Sequence, residues 1–197
     1  MTTFTIHTPD SAPAESKQLL ESIQRRNGLV PNLMDLSRIP NLYGVLAEAP
    51  IAVEAYETLA NLLMRSSLTP TERHVVWFTI NAYHDCHYCM AAHTLLAKGE
   101  KVPEDVIETA RAVRSYEDPK LEALRVFTLN LVENRGRTSP EDLEAFLAAG
   151  FTKQNVLEIV VVIAHKVLSN YTNHIVDTPV DDAFKRFTWT KPVSNVA

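Results

Sequence analysis

The chain has 197 residues, and its 46% apolar content is ample for a continuous core. A formal charge of -5 arises from interspersed acids and bases with no Lys/Arg block to track a phosphate backbone, which argues against nucleic acid as a partner. Gly is scarce at 5 while Ala, Leu and Glu recur, so the composition argues against an all-β fold and favours helices joined by short turns.

The opening MTTFTIHTPDSAP lacks a basic region followed by an apolar one, and no stretch reaches the roughly 18 uncharged apolar residues of a membrane span. A cytoplasmic chain with no membrane partner is expected. Residues 14–26 read as a first helix ending at Asn27-Gly28, a pair that tolerates left-handed backbone. Short helical turns are predicted around 31–37 and 40–48, then a longer helix from Pro50 to about Arg65. Its Val53, Tyr56, Leu59, Ala60 and Leu63 recur at steps of three and four, which gives it one buried face.

Thr69-Pro70-Thr71-Glu72 is a helix start, with Thr69 as cap, Pro70 in the first turn and Glu72 reaching back. That helix runs to about Tyr83. Further Pro-led starts stand at Pro103, Pro119 and Pro140, and Gly99, Gly136 and Gly150 stand where the preceding helices end. The apolar run 156–164 has no decisive period; its length and context favour a central buried helix over 154–174 rather than a strand. The prediction is one all-α domain over 1–197 with about nine helices and an irregular tail at 186–197.

The segment His84-Asp85-Cys86-His87-Tyr88-Cys89-Met90-Ala91-Ala92-His93 holds both cysteines and is the densest in reactive side chains. With Asp85 capping a helix that begins at Cys86, the free amides of the first turn would stabilise a thiolate. At about 100° per residue, Cys86, Cys89 and His93 would fall within an arc of about 60°. Cys89 and His93, at i,i+4, would be near enough for proton transfer. Two cysteines cannot form a secreted disulfide framework, and their spacing points to redox chemistry or metal binding. A zinc site would need Cys86, Cys89 and His93 completed by His74, His84 or His87.

The segment 68–99 has Glu72-Arg73 separated by twelve intervening residues from Cys86-x-Tyr88-Cys89, with His93 following after three more, and resembles the alkylhydroperoxidase D and carboxymuconolactone decarboxylase superfamily, in its peroxidase-related branch. The likeness extends over about 25–182, through Gly28-Leu29-Val30-Pro31-Asn32, Asp118-Pro119-Lys120-Leu121, Ala148-Ala149-Gly150-Phe151-Thr152 and Ser169-Asn170-Tyr171-Thr172-Asn173-His174.

The resemblance implies an all-α, homo-oligomeric thiol peroxidase with no metal or other cofactor. Cys89 would attack the hydroperoxide, Cys86 would resolve the sulfenic acid to a disulfide, and His93 would help deprotonate the pair. A lipoyl- or thioredoxin-like dithiol would then reduce the disulfide. Where the family usually carries its relay acid, this chain has His74, and where the founding alkylhydroperoxidase has a His between the cysteines, it has Tyr88. A helix break at Tyr83-His84-Asp85 is expected to swing His74 toward Cys86, with a Glu tolerated at 74. Tyr88, Asn173 and His174 are expected at the substrate, whereas Met64, Trp77, Phe78 and Met90 read as core or pocket wall. A redox sensor with little turnover would use the same two thiols; lactone decarboxylation is argued against, because it does not generally depend on a CxxC pair.

Overall fold

The computed structural model describes residues 4–27 and 39–193, whose regular secondary structure is helical throughout. The helices are α1 (Ala14–Asn27), α2 (Asn41–Leu46), α3 (Pro50–Leu63), α4 (Pro70–Tyr83), α5 (His87–Gly99), α6 (Glu104–Arg111), α7 (Pro119–Glu133), α8 (Pro140–Ala148) and α9 (Lys153–Val176). A 3₁₀ segment, Asp182–Phe187, follows and gives the first part of the expected irregular tail a regular turn. The turn expected at 31–37 lies outside the described residues.

Local chemistry sets the boundaries. Thr69 and Glu72 form the reciprocal capping box read from the sequence, and Thr152 with Asn155 forms a second at the start of α9. Asp118 and Ser139 accept amides at the starts of α7 and α8. Gly150 (φ 94) turns the chain after α8 in the left-handed region. The Gly99 stop shifts by two residues, since α5 includes Gly99 and the left-handed residue is Lys101 (φ 59). At Gly44 a Cβ would lie 2.7 Å from the His7 carbonyl, so glycine there lets the N-terminal segment lie against α2. His7 itself bridges Ser11 and Glu48, a structural role.

The centre of the fold is α4. Every residue from Glu72 to Ala82 is buried, because α5, α6, α7 and α9 all pack around it. One apolar cluster joins α4 to α6, α7, α8 and α9; a second joins α1, α2, α3 and α5, and contains both cysteines. The run 156–164 is helical, with Ile159 and Val162 in the core. Leu157, Val160, Tyr171 and Ile175 on the same helix face outward. No single described helix is long and apolar enough to cross a membrane.

Candidate active site

The reactive segment begins where α4 stops. His84 closes α4, Asp85 takes φ 55, and the amides of Asp85 and Cys86 return to the carbonyls of Ala82 (3.3 Å) and Asn81 (2.9 Å). This is a Schellman end, and it folds α5 back against α4. The break is where the sequence placed it, but its parts differ from expectation. Asp85 is the exposed left-handed residue and caps nothing. Cys86 is the N-cap of α5 in extended backbone (φ -89, ψ 95), so it lies outside the helical arc shared by Cys89 and His93. A residue cannot cap a helix while supplying the left-handed turn before it.

Both sulfurs are free thiols buried to 1% and 2% exposure. Asn173 Nδ2 donates to Cys89 Sγ at 3.3 Å and reaches Cys86 Sγ at 3.8 Å. Burial by itself raises the Cys89 pKa, but the Cys86 thiol, the Lys166 ammonium and the Ser169 and Asn170 side chains outweigh it and bring Cys89 down to about 5. Cys86 moves the opposite way, because its thiol proton is held by Cys89 and burial disfavours a second anion. The Asn173 amide and the Lys166 ammonium thus favour the anion on Cys89, and Cys86 is favoured as the thiol.

His93 is buried on α5, and its Nε2 lies 3.0 Å from Lys166 Nζ on α9. An ammonium can only donate, so Nε2 accepts and the neutral ring carries its proton on Nδ1. Burial first, then Lys166, His74 and His165, push the His93 pKa well down. The described hydrogen bond of His93 is thus to Lys166, and none joins it to Cys89. His74 is wholly buried and packs its ring 6.1 Å from His93, with Nε2 3.6 Å from Glu100. Antiparallel packing of α4 on α5 sets residue 74 opposite 93, which is about 10 Å along α5 from position 86. The approach of His74 to Cys86 is therefore not found. Glu72, the nearest acid in the sequence, is occupied by the cap and by Lys120 (2.7 Å).

The remaining expectations divide. Tyr88 lines the cavity, but its hydroxyl is engaged, donating to Asp181 (2.5 Å) and accepting from the Leu42 amide (3.2 Å). Asn173 is a thiol clamp and not a cavity wall. His174 is exposed on α9 and does not line the cavity, because position 174 lies about 100° round the helix from Asn173, which faces the cysteines. His84 and His87 turn away to Asn170 and to the Trp189 carbonyl. Among the described residues no three His, Cys, Asp or Glu side chains are grouped to hold a metal ion.

A cavity of about 520 Å³ reaches Cys89, His93 and Lys166. Its walls include Tyr56, Met64, Trp77, Leu96 and Phe184, so Met64 and Trp77 are pocket wall, whereas Phe78 and Met90 are core. His165 lies there too, stacked on Tyr56 at 4.3 Å. The residue that inspection of the sequence missed is Lys166. Its signal was a polar row, Lys166, Ser169, Asn170 and Asn173, at steps of three, four and seven on an otherwise apolar helix.

Residues 50–128 match the carboxymuconolactone decarboxylase family. The fold is similar to that of an uncharacterized peroxidase-related protein with an alkylhydroperoxidase AhpD core from Ralstonia eutropha JMP134, at 24% identity and a TM-score of 0.75, covering 92% of this chain and 93% of that one. A peroxidase-related protein from Silicibacter sp. TM1040 aligns at 19% identity and 0.71, covering 93% and 97%. The debrominase Bmp8 C82A in complex with 2,3,4-tribromopyrrole aligns at 17% and 0.70, covering 94% and 95%. No curated protein matches the sequence.

Proposed function

We propose that the chain, whose residues 50–128 match the carboxymuconolactone decarboxylase family and whose fold is similar to that of a peroxidase-related protein with an alkylhydroperoxidase AhpD core, is a thiol peroxidase reducing small-molecule hydroperoxides through a Cys86/Cys89 dithiol-disulfide cycle. One observation carries the reading: Cys89 lies on the wall of an apolar cavity with Asn173 Nδ2 donating to its sulfur at 3.3 Å and reaching the second thiol, Cys86, at 3.8 Å, an arrangement that favours a thiolate at Cys89. The thiolate attacks the terminal peroxide oxygen, the O–O bond breaks, and the sulfur becomes a sulfenic acid while the leaving alkoxide takes a proton. Cys86 then displaces hydroxide from that sulfur, its own proton completes a water molecule, and the disulfide forms.

Tyr88 presents its ring to the substrate, Asn173 holds both sulfurs, and His93, backed by His74, positions the charge beside them. A lipoyl- or thioredoxin-like dithiol returns the disulfide to two thiols. The protein works as a cytoplasmic homo-oligomer, with the apolar outer face of α9 at the contact.

The test is oxidation of the reduced protein by a panel of hydroperoxides, with sulfenic acid trapping and Cys89→Ser as control. One equivalent of peroxide is expected to consume both thiols, and Cys89→Ser to abolish the reaction. Thiols that survive peroxide with no trapped sulfenic acid sink the proposal. The burial of both sulfurs favours a redox sensor as the second reading, since a reductant must open the site to reach the disulfide. Fast turnover with a dithiol donor decides against it. Since one structural relative is a debrominase held with a brominated pyrrole, that compound belongs in the substrate panel.

A further inference from the structure

Lys166 is fully buried near the middle of α9. Burying an ammonium without a counter-anion costs several kcal/mol, so its surroundings must supply the balance. Among the described residues no carboxylate forms an ion pair with it. Its hydrogen-bond partner is the neutral His93 ring, which brings no charge.

Most titratable groups on the surrounding elements are neutral or held by other partners. From α3 come Tyr56, whose phenol burial keeps protonated, and Glu57, whose carboxylate is held by Tyr43 (3.0 Å) and Asn61 (3.0 Å). The end of α4 brings His84, which bonds Asn170, and α9 itself brings His165, kept neutral by burial. Glu100, at the far end of the cavity, is occupied by Arg73 at 2.6 Å. From α5 come Cys86, which stays a thiol, and Cys89. Cys89 is the remaining acid: it lines the same cavity as Lys166, stands one helical turn before the His93 that holds the ammonium, and is bonded by Asn173, two turns along α9 from Lys166.

We propose that Lys166 is the proton-transfer partner of Cys89, taking the thiol proton when the pair is reduced and returning it to the alkoxide as the peroxide bond breaks. The inference rests on the peroxidase reading for its second half only. In the first step thiolate, hydroperoxide and ammonium become sulfenic acid, alcohol and amine; sulfur is oxidised by two electrons and the peroxide is reduced. Condensation of the sulfenic acid with the Cys86 thiol releases water and needs no outside proton. Reduction of the disulfide by a dithiol restores two thiols, and the Cys89 proton passes to the Lys166 amine. One proton thus cycles between two buried groups, and no proton from bulk water is needed at the O–O bond. His93 contributes the Nε2 lone pair that aims the ammonium, and is a positioning residue.

The test uses the full chain carrying Cys86→Ser, so that Cys89 is the single thiol, and follows its alkylation by iodoacetamide as a function of pH. Lys166→Met is expected to fold, because an apolar side chain replaces a buried ammonium while Cys89 can keep its proton and so leaves no buried charge uncompensated; circular dichroism checks this. In that variant the thiolate fraction near pH 6 should fall by roughly tenfold or more. With both cysteines present, oxidation by hydroperoxide should slow by roughly a hundredfold. Lys166→Arg separates the two roles, since a guanidinium keeps the field but does not give up a proton. It should restore alkylation at low pH and leave the peroxide step slow.

An unchanged alkylation profile in Lys166→Met overturns the proposal. So does a lysine-bearing protein whose Cys89 titrates at the ordinary cysteine value, a measurement that needs no folded variant. The alkylation arm involves no peroxide. A chain that ignores hydroperoxides therefore overturns the peroxidase reading, while a shifted alkylation profile still upholds the proton pair.

Discussion

Asn173 on α9 spans both thiols, with its Nδ2 3.3 Å from Cys89 Sγ and 3.8 Å from Cys86 Sγ. One amide therefore holds the two sulfurs in register and donates to the one that ionises. A hydrogen bond to a charged group contributes about 1.5–3 kcal/mol, which is one to two pKa units. Asn173→Ala is expected to raise the Cys89 pKa by that order and to slow peroxide oxidation near pH 6. Asn173→Asp should be worse, because a carboxylate facing the thiolate repels it. Ultraviolet titration of thiolate absorbance in the three proteins checks the ranking, and an Asp variant as reactive as wild type contradicts it.

Cys89, lowered to about 5, gives the reaction its pH profile. Thiolate is fully formed above that value, so the rate of peroxide oxidation should be flat through neutrality and fall as the pH drops through about 5. The same shift acts on stability. A group whose folded pKa is depressed adds stability above its unfolded pKa, near 9, and loses it as pH falls through the folded value. The reduced protein should therefore gain stability over Cys89→Ala as pH rises from 5 toward 9. Urea unfolding of both proteins at several pH values reads this difference; a constant difference speaks against a buried thiolate.

His74 is buried among Trp77, Phe78 and His93, with Glu100 as its nearest acid. The sequence led us to expect that Glu would be tolerated there. The structure reverses this, since a second carboxylate would be buried beside Glu100. His74→Glu is expected to lose about 3 kcal/mol or more, the cost of an unpaired buried charge. His74→Gln should lose less, and denaturant midpoints of the two variants give the comparison.

Val113 follows α6 with φ 54, in a region that β-branched residues rarely occupy. The Arg114 amide returns to the Thr109 carbonyl at 3.1 Å, so the left-handed turn closes the helix and cannot relax without losing that bond. Val113→Gly should remove the backbone strain and gain about 1 kcal/mol net of the added freedom of the unfolded chain. A lower denaturation midpoint would falsify this account of the turn.

Leu157, Val160, Tyr171 and Ile175 are 68%, 49%, 51% and 73% exposed and share one side of α9 at helical spacing. Two substitutions there, Leu157→Glu and Val160→Glu, are expected to reduce the mass seen by light scattering without changing Cys89 alkylation. The wild type is expected to be larger than a monomer. A monomeric wild type removes the reason for the stripe to be an interface.

The sequence by itself determined the helical fold, the boundaries and the cysteines. Helix starts and stops are local: Thr69 with Glu72, Asp118 and Ser139 act within three residues of themselves. The identity of the reactive segment was legible for the same reason, since Cys86, Cys89 and His93 lie within about two helical turns of chain. What only the tertiary structure decided is which groups meet across helices. Lys166 reaches His93 over 73 positions and Asn173 reaches Cys89 over 84, and neither distance is encoded in any local pattern. His74 shows the limit most directly. The sequence located the break that turns α4 back on α5, but the depth at which the two helices pack, set by the apolar side chains between them, carried His74 to His93 and left Cys86 to Lys166 and Asn173 of α9.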